Sequence, residues 1–386
     1  MSTTHSSEPD ADRPQEDAPA PGQQQEDAPQ APRVPARALS RWRRPTRREV
    51  GFLAAGAVLG SALTLGGVAL TMQSLWRPPG PGPLSNPDPK TTARAAARQA
   101  LLVAAQKQPV LTNLAFGSDG SAAERTLTAT VAEGAGADDI AAAYGAIVDE
   151  ASPALGSAGI QYHLELTWPV NGLVIGVEAN IETWGVSDGL RSQLIMAAAA
   201  AGQGPKAVVV EPGSVTVERG EIAVENLSTA RPGLEQDAGV GAISYRQRAH
   251  IGQADVNLEI DPGVGRLDGA DLGAWVAVGQ APGVAALDID AADSGVYAHI
   301  FLADGAGEAE LRASAPSILA AVGACPGMSW AEIIAPGTGR GDGVCLRYLH
   351  RNGALAVSGD TTSSPASRGA HADPGLATEL LGEAQG

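Results

Sequence analysis

The sequence predicts an α+β protein: a disordered N-terminal arm and a single transmembrane helix, then two tandem ferredoxin-like (βαββαβ) sandwich modules. Three observations lead there. A charge-free apolar run extends from Gly51 to about Leu75. From Glu124 onward, apolar residues alternate with polar ones and then switch to helical spacing. The same order of elements starts again near Gln253, roughly 130 residues later.

Length and composition set the outer limits. The 386 residues suit two or three domains, and a hydrophobic content of 44% can fill their cores. With only 4% aromatics, those cores must be built from Ala, Val, Leu and Ile. The net charge of -17 argues against a nucleic-acid partner, which needs phosphate-binding cations or a stacking surface. Two cysteines make neither a disulfide-dense scaffold nor a four-thiolate zinc site.

Residues 1–36 are rich in Pro, Gln, Glu and Asp and poor in large apolar side chains, which predicts a disordered cytoplasmic arm. Within it, Gln15-Glu16-Asp17-Ala18-Pro19 recurs as Gln25-Glu26-Asp27-Ala28-Pro29, a low-complexity duplication. Residues 37–50 turn basic, and Arg43, Arg44, Arg47 and Arg48 stand just before the apolar run. Because about 20 residues cross a bilayer core, 51–75 is long enough to span one, and the arginines set its N-terminus in the cytoplasm. Membrane lipid is then a partner through this helix, and the Gly56-x-x-x-Gly60 spacing would let two copies approach as a homodimer.

An alternative exists for the same stretch. Thr46-Arg47-Arg48-Glu49-Val50, ahead of Gly51-Phe52-Leu53, resembles a twin-arginine export signal. Under either reading the remainder faces out of the cell. Residues 1–50 hold eight basic and eight acidic side chains, so the whole charge of -17 lies beyond them. Arginine occurs 23 times against three lysines, amid much Ala and Gly, a composition that resembles a high-GC, actinobacterial proteome.

Residues 76–89 form a Pro-rich, semi-rigid stalk. The first module covers 90–240. It opens with a helix at about 90–107 that ends before Pro109. Leu127, Ala129 and Val131 then share one face of a strand, and Ile140, Ala143, Tyr144, Ile147 and Val148 one face of a helix. Tyr162, Leu164, Leu166 and Trp168 alternate into the Asn171-Gly172 hairpin, followed by Leu173, Ile175 and Val177. A helix capped by Ser187 runs to about Ala201, and strands follow at 207–217 and 221–227.

The second module covers 241–351. It offers strand 254–260, helix 268–279, strands 284–290 and 295–302 around Ser294-Gly295, a helix from Glu308 to about Ala324, and strands 328–334 and 343–350. Residues 352–386, rich in Ser, Gly, Ala and Pro, read as a loose tail.

Candidate chemistry is sparse. Cys325 and Cys345 fall on the oxidising side of the assigned membrane, which makes them a candidate disulfide, with buried free thiols or a redox pair as alternatives. The six histidines are dispersed, and none shows a metal-ligand spacing. Asp288, Asp290 and Asp293 flank a hairpin without the distal Glu of a calcium loop, which favours a solvated acidic turn. Gly337 to Gly343 lacks the Lys-Ser/Thr of a phosphate loop and reads as a hairpin connection. No catalytic residue, metal or cofactor is implied.

Two functions remain open. The first is a non-catalytic, membrane-anchored envelope protein whose modules bind an envelope protein partner or support an assembly. The second is an exported enzyme or small-ligand receptor with its site between the two modules, where acids such as Asp255, Glu259, Asp288 and Asp290 would converge.

Overall fold

The computed structural model describes residues 88–385, apart from 118–124, 182–187, 265–266, 326, 340–341, 352 and 360–369. The described residues open with α1 (Pro89–Gln106), where the Asp88 carboxylate accepts the Lys90 N–H at 3.1 Å and Pro89 occupies the first turn. Ala97, Leu101, Ala104 and Ala105 form its buried face. Next come β1 (Leu111–Phe116), β2 (Thr126–Val131), α2 (Ala137–Ala158), β3 (Tyr162–Val170) and β4 (Leu173–Ile181). Asn171 and Gly172 turn the β3–β4 hairpin with φ of 52° and 81°, a conformation suited to these two residue types. The first half closes with α3 (Asp188–Ala201), β5 (Ala207–Glu211) and β6 (Ser214–Glu221).

The second half repeats this order. It comprises β7 (Ser244–Ile251), β8 (Ala254–Ile260), α4 (Gly269–Gly279), β9 (Val284–Ala292), β10 (Gly295–Leu302), α5 (Glu308–Gly323), β11 (Met328–Ala335) and β12 (Val344–Arg351). Residues 352–386 are not a loose tail throughout, because β13 (Ala354–Val357), β14 (His371–Ala372) and α6 (Pro374–Gln385) come from them.

The expectation of two ferredoxin-like modules is corrected here: the strands form one 14-stranded sheet. Its order follows the chain from β1 to β13, with β14 added beside β12. In a ferredoxin-like unit the central hairpin folds back so that a strand separates the two parallel ones. Here β2 pairs β3 directly, from Thr126↔His163 to Thr130↔Thr167, and leaves no gap. The halves are then fused, because β6 and β7 pair in parallel from Ser214↔Ser244 to Glu221↔His250.

One apolar face runs the width of the sheet. Leu164 stands beside Leu127 and Ala179, Val217 follows Val208, and Leu258, Ile289 and Ala298 continue the face toward Ile333 and Leu346. All six of the described helices lie on it. Tyr162 Oη donates to Arg94 O of α1 at 3.1 Å, and Tyr348 Oη to Ala377 O of α6 at 3.3 Å. Arg191 of α3 pairs with Asp138 of α2 at 2.6 Å. Since β2 and β4 run in opposite senses while both crossovers advance the same way, helices on one face require connections of opposite hand. The strong right-handed preference for such connections is what favours the ferredoxin-like topology from sequence.

No helix connects β6 to β7. The connector 222–243 has only two 3-10 turns, at Val224–Asn226 and Ala238–Ala242, and side chains fasten it. Gln247, on the apolar face and 0% exposed, donates to Ser228 O and accepts from Ser228 N, both at 2.8 Å. The buried Arg231 guanidinium donates to the carbonyls of Val264, Ile243, Ile260 and Asp261. It thereby satisfies backbone acceptors that sheet pairing leaves open.

The single-pass transmembrane expectation is also corrected. Among the described residues no helix is long and apolar enough to cross a membrane. The stretch 51–75 on which it rested lies outside the described residues, as do Gly56, Gly60, Arg43, Arg44, Arg47 and Arg48.

Candidate functional site

Side chains alternate across a sheet, so the residues between the apolar ones form a second face, on which none of the described helices lies. In β6 to β11 this face holds two parallel rows of polar residues. Thr216, Arg246, Glu259, Asp290, Tyr297 and Trp330 stand in the first row, each the register partner of the next.

The ionic groups of the second row are matched to one another. Arg248 lies 3.7 Å from Glu218, and Asn257 Nδ2 donates to Asp288 Oδ1 at 2.6 Å. Glu332, 0% exposed, receives Arg347 Nε at 2.8 Å and lies 3.0 Å from His299 Nδ1. Such closure marks a structural network, in which each buried charge has a bonded counterpart.

The first row is only partly closed. Arg246 Nη2 reaches Glu259 Oε1 at 2.7 Å, while Nη1 lies 3.3 Å from Ser214 Oγ and 3.5 Å from Glu211 Oε2. Tyr297 Oη and Ser294 Oγ are 2.8 Å apart. Among the described residues four buried side-chain polar atoms lack a hydrogen-bond partner: Thr216 Oγ1, Arg246 Nε and Asp290 Oδ1 lie in this row, and the fourth is Nη2 of Arg347, whose Nε bonds Glu332 in the second row. Leaving a buried polar group unmade costs about 1–3 kcal/mol, so such atoms clustered in one row call for an explanation.

The electrostatics match this geometry. Burial, then the neighbouring Asp261 and Glu259 carboxylates, push Asp290 up to about 7, against weaker opposition from His299 and Arg246. Asp261 is raised as well, first by burial and then by Glu259. Burial works against the charge on Arg246, but its hydrogen bond to Glu259 and the surrounding acids more than offset this and raise it. A carboxyl that titrates near neutrality in a partly enclosed polar row can bind a cation or exchange a proton.

Of the acids expected to converge, Glu259 and Asp290 meet in this row, and Asp288 lies on the same face in the paired row. Asp255 is apart, on the exposed end of β8 with His250 Nδ1 at 3.0 Å. Among the described residues no group of three or more His, Cys, Asp and Glu is placed to hold a metal ion. His163, on the helix-free face of β3, bonds Asn180 at 2.9 Å.

Cys325 and Cys345 are both free and buried. Cys325 packs in the core on the helix side, with Ala321 O at 3.2 Å and Ala274 O at 3.4 Å. Cys345 belongs to a small cluster with Ile334 and Ala370 on the other face, so the sheet itself separates the two thiols. Burial pushes both up to about 12.

Sequence reasoning missed β7, and with it Arg246. The alternation of Tyr245, Ala249 and Ile251 was the available signal, but the polar Gln247 interrupts it. No protein-family model, curated protein or solved structure matches the chain.

Proposed function

We propose that the protein binds a small polar ligand on the helix-free face, where its two halves join. This is the second of the functions the sequence leaves open, with its site moved from a cleft between modules onto a continuous sheet. One observation carries it: Thr216 Oγ1, Arg246 Nε and Asp290 Oδ1 share a row, and each is buried without a partner. In the adjoining row the ionic groups are matched to one another. Thr216 belongs to the first half and the other two to the second, so a ligand bridging them would also tie the halves together.

The test is a thermal-unfolding screen of the full chain against a collection of small polar molecules, followed by resonance mapping of the hits. Binding compounds should raise the unfolding temperature and perturb Thr216, Arg246 and Asp290 first. Hits that leave these three residues unperturbed, or a collection without hits, would count against the reading.

A further inference from the structure

We infer that the ligand of this row is an amino alcohol or amino sugar, with an ammonium group on Asp290 and a neutral oxygen on Thr216 and Arg246. This rests on the ligand-binding reading above. The row has a direction. At one end the orphan atom, Asp290 Oδ1, can only accept while the carboxylate is ionised. Toward the other end Arg246 Nε can only donate, and Thr216 Oγ1 does either. Arg246 and Asp290 are two strand spacings apart, about 10 Å at the backbone, with Glu259 between them.

Charge decides between the candidate classes. Arg246 carries the one guanidinium in the row, and Glu259 and Glu211 already surround it. Asp261 and Asp290 add to the acidic excess. An anionic ligand would meet net repulsion, and a carboxylate at the Arg246 end would face Glu211 and Glu259. A bare metal ion lacks a ligand set among the described residues. An ammonium supplies the missing counter-charge for Asp290, and a hydroxyl both accepts from Arg246 Nε and bonds Thr216 Oγ1. Acidity alone would not make this a site. The second observation is Thr216, which is 5% exposed, has no partner for its hydroxyl and stands in the same row.

Binding should strengthen as pH rises through about 7, because Asp290 must shed its proton to pair with the ammonium. The groups facing it are Glu259 from β8, Asp261 just after β8, Arg246 from β7 and His299 from β10.

The experiment titrates the full chain with aminopentanol, pentylamine, pentanediol and valerate by calorimetry at several pH values. Aminopentanol should bind about tenfold more tightly than pentylamine or pentanediol, equivalent to about 1.4 kcal/mol, and valerate should not bind. Asp290→Asn should erase the preference for aminopentanol over pentanediol. Thr216→Val should reduce aminopentanol to the level of pentylamine. Urea unfolding of both variants separates loss of fold from loss of binding, and Thr216→Ser, which keeps the hydroxyl, should bind as the parent does. If pentanediol or valerate binds as tightly as aminopentanol and still depends on Asp290, the ligand class is wrong while the site stands. If none of the four compounds, nor any member of a broad polar collection, perturbs the row, both the class and the ligand-binding reading fall.

Discussion

Glu259 and Asp290 face each other in register across the parallel β8–β9 pair, yet only Glu259 has a bonded cation. Arg246 reaches Glu259 at 2.7 Å, whereas Asp290 Oδ1 is buried with no partner. Neighbouring carboxylates in one environment would compete for one proton. The arginine resolves that competition, and it is Asp290 that burial and its acidic neighbours push up to about 7.

Stability should therefore fall as pH rises from about 4 to about 7 and level off above that. Asp290 is raised from 3.8 to about 7, so the folded chain holds a proton that the unfolded chain has released. Its contribution is complete below the ordinary value and is lost as pH rises through about 7. Asp290→Asn should flatten this decline and be more stable than the parent above neutrality, by on the order of 2 kcal/mol. Urea midpoints over a pH series check it, and parallel profiles for the two proteins would contradict it.

The Glu332 network should be costly to break from one side and cheap to remove whole. Arg347→Met removes the guanidinium from the fully buried Glu332, whose other oxygen stays 3.0 Å from His299 Nδ1, and should destabilise by about 3–5 kcal/mol. Arg347→Met with Glu332→Leu should recover most of that loss. Chemical denaturation of the single and double variants measures the coupling.

Arg231 should behave as a structural clasp. Arg231→Met deprives the carbonyls of Val264, Ile243, Ile260 and Asp261 of a donor at a site only 3% exposed. A loss of about 2–4 kcal/mol is expected. Hydrogen exchange should locate it in the connector 222–243 and the adjoining ends of β7 and β8.

Both cysteines should be inert in the folded protein. Thiolates are the reactive form, and burial holds Cys325 and Cys345 near 12. A thiol reagent at neutral pH should modify neither until denaturant is added, and then both without reductant. Titration of fewer than two thiols in the denatured chain would overturn the free state of the pair.

Local elements were largely legible. The alternation of Tyr162, Leu164, Leu166 and Trp168, the Asn171-Gly172 turn and the helix spanning Ile140 and Val148 are all present, because each depends on nearby residues. Spatial strand order was not legible. Nothing in the residues of β3 says whether β2 adjoins it or stands one strand away, and the order of elements along the chain fits both arrangements. At the candidate site, Glu259 and Asp290 could be named as dispersed acids, but their pairing depends on the β8–β9 register. Arg246 went unseen because Gln247, bonded to Ser228, disguises a strand as a polar loop. The helix α6 was hidden by a preceding stretch rich in Ser, Gly and Ala.

A sheet whose neighbours are also neighbours along the chain has a kinetic corollary. From β1 to β13 every pairing joins consecutive strands, so each can zip onto a template already made as the polypeptide leaves the ribosome. The exception is the return of His371–Ala372 to β12, with Pro374–Gln385 docking against Tyr348. That late closure must wait until Pro374–Gln385 has left the ribosome, and a nascent chain arrested before it would carry an unsealed flank at β12.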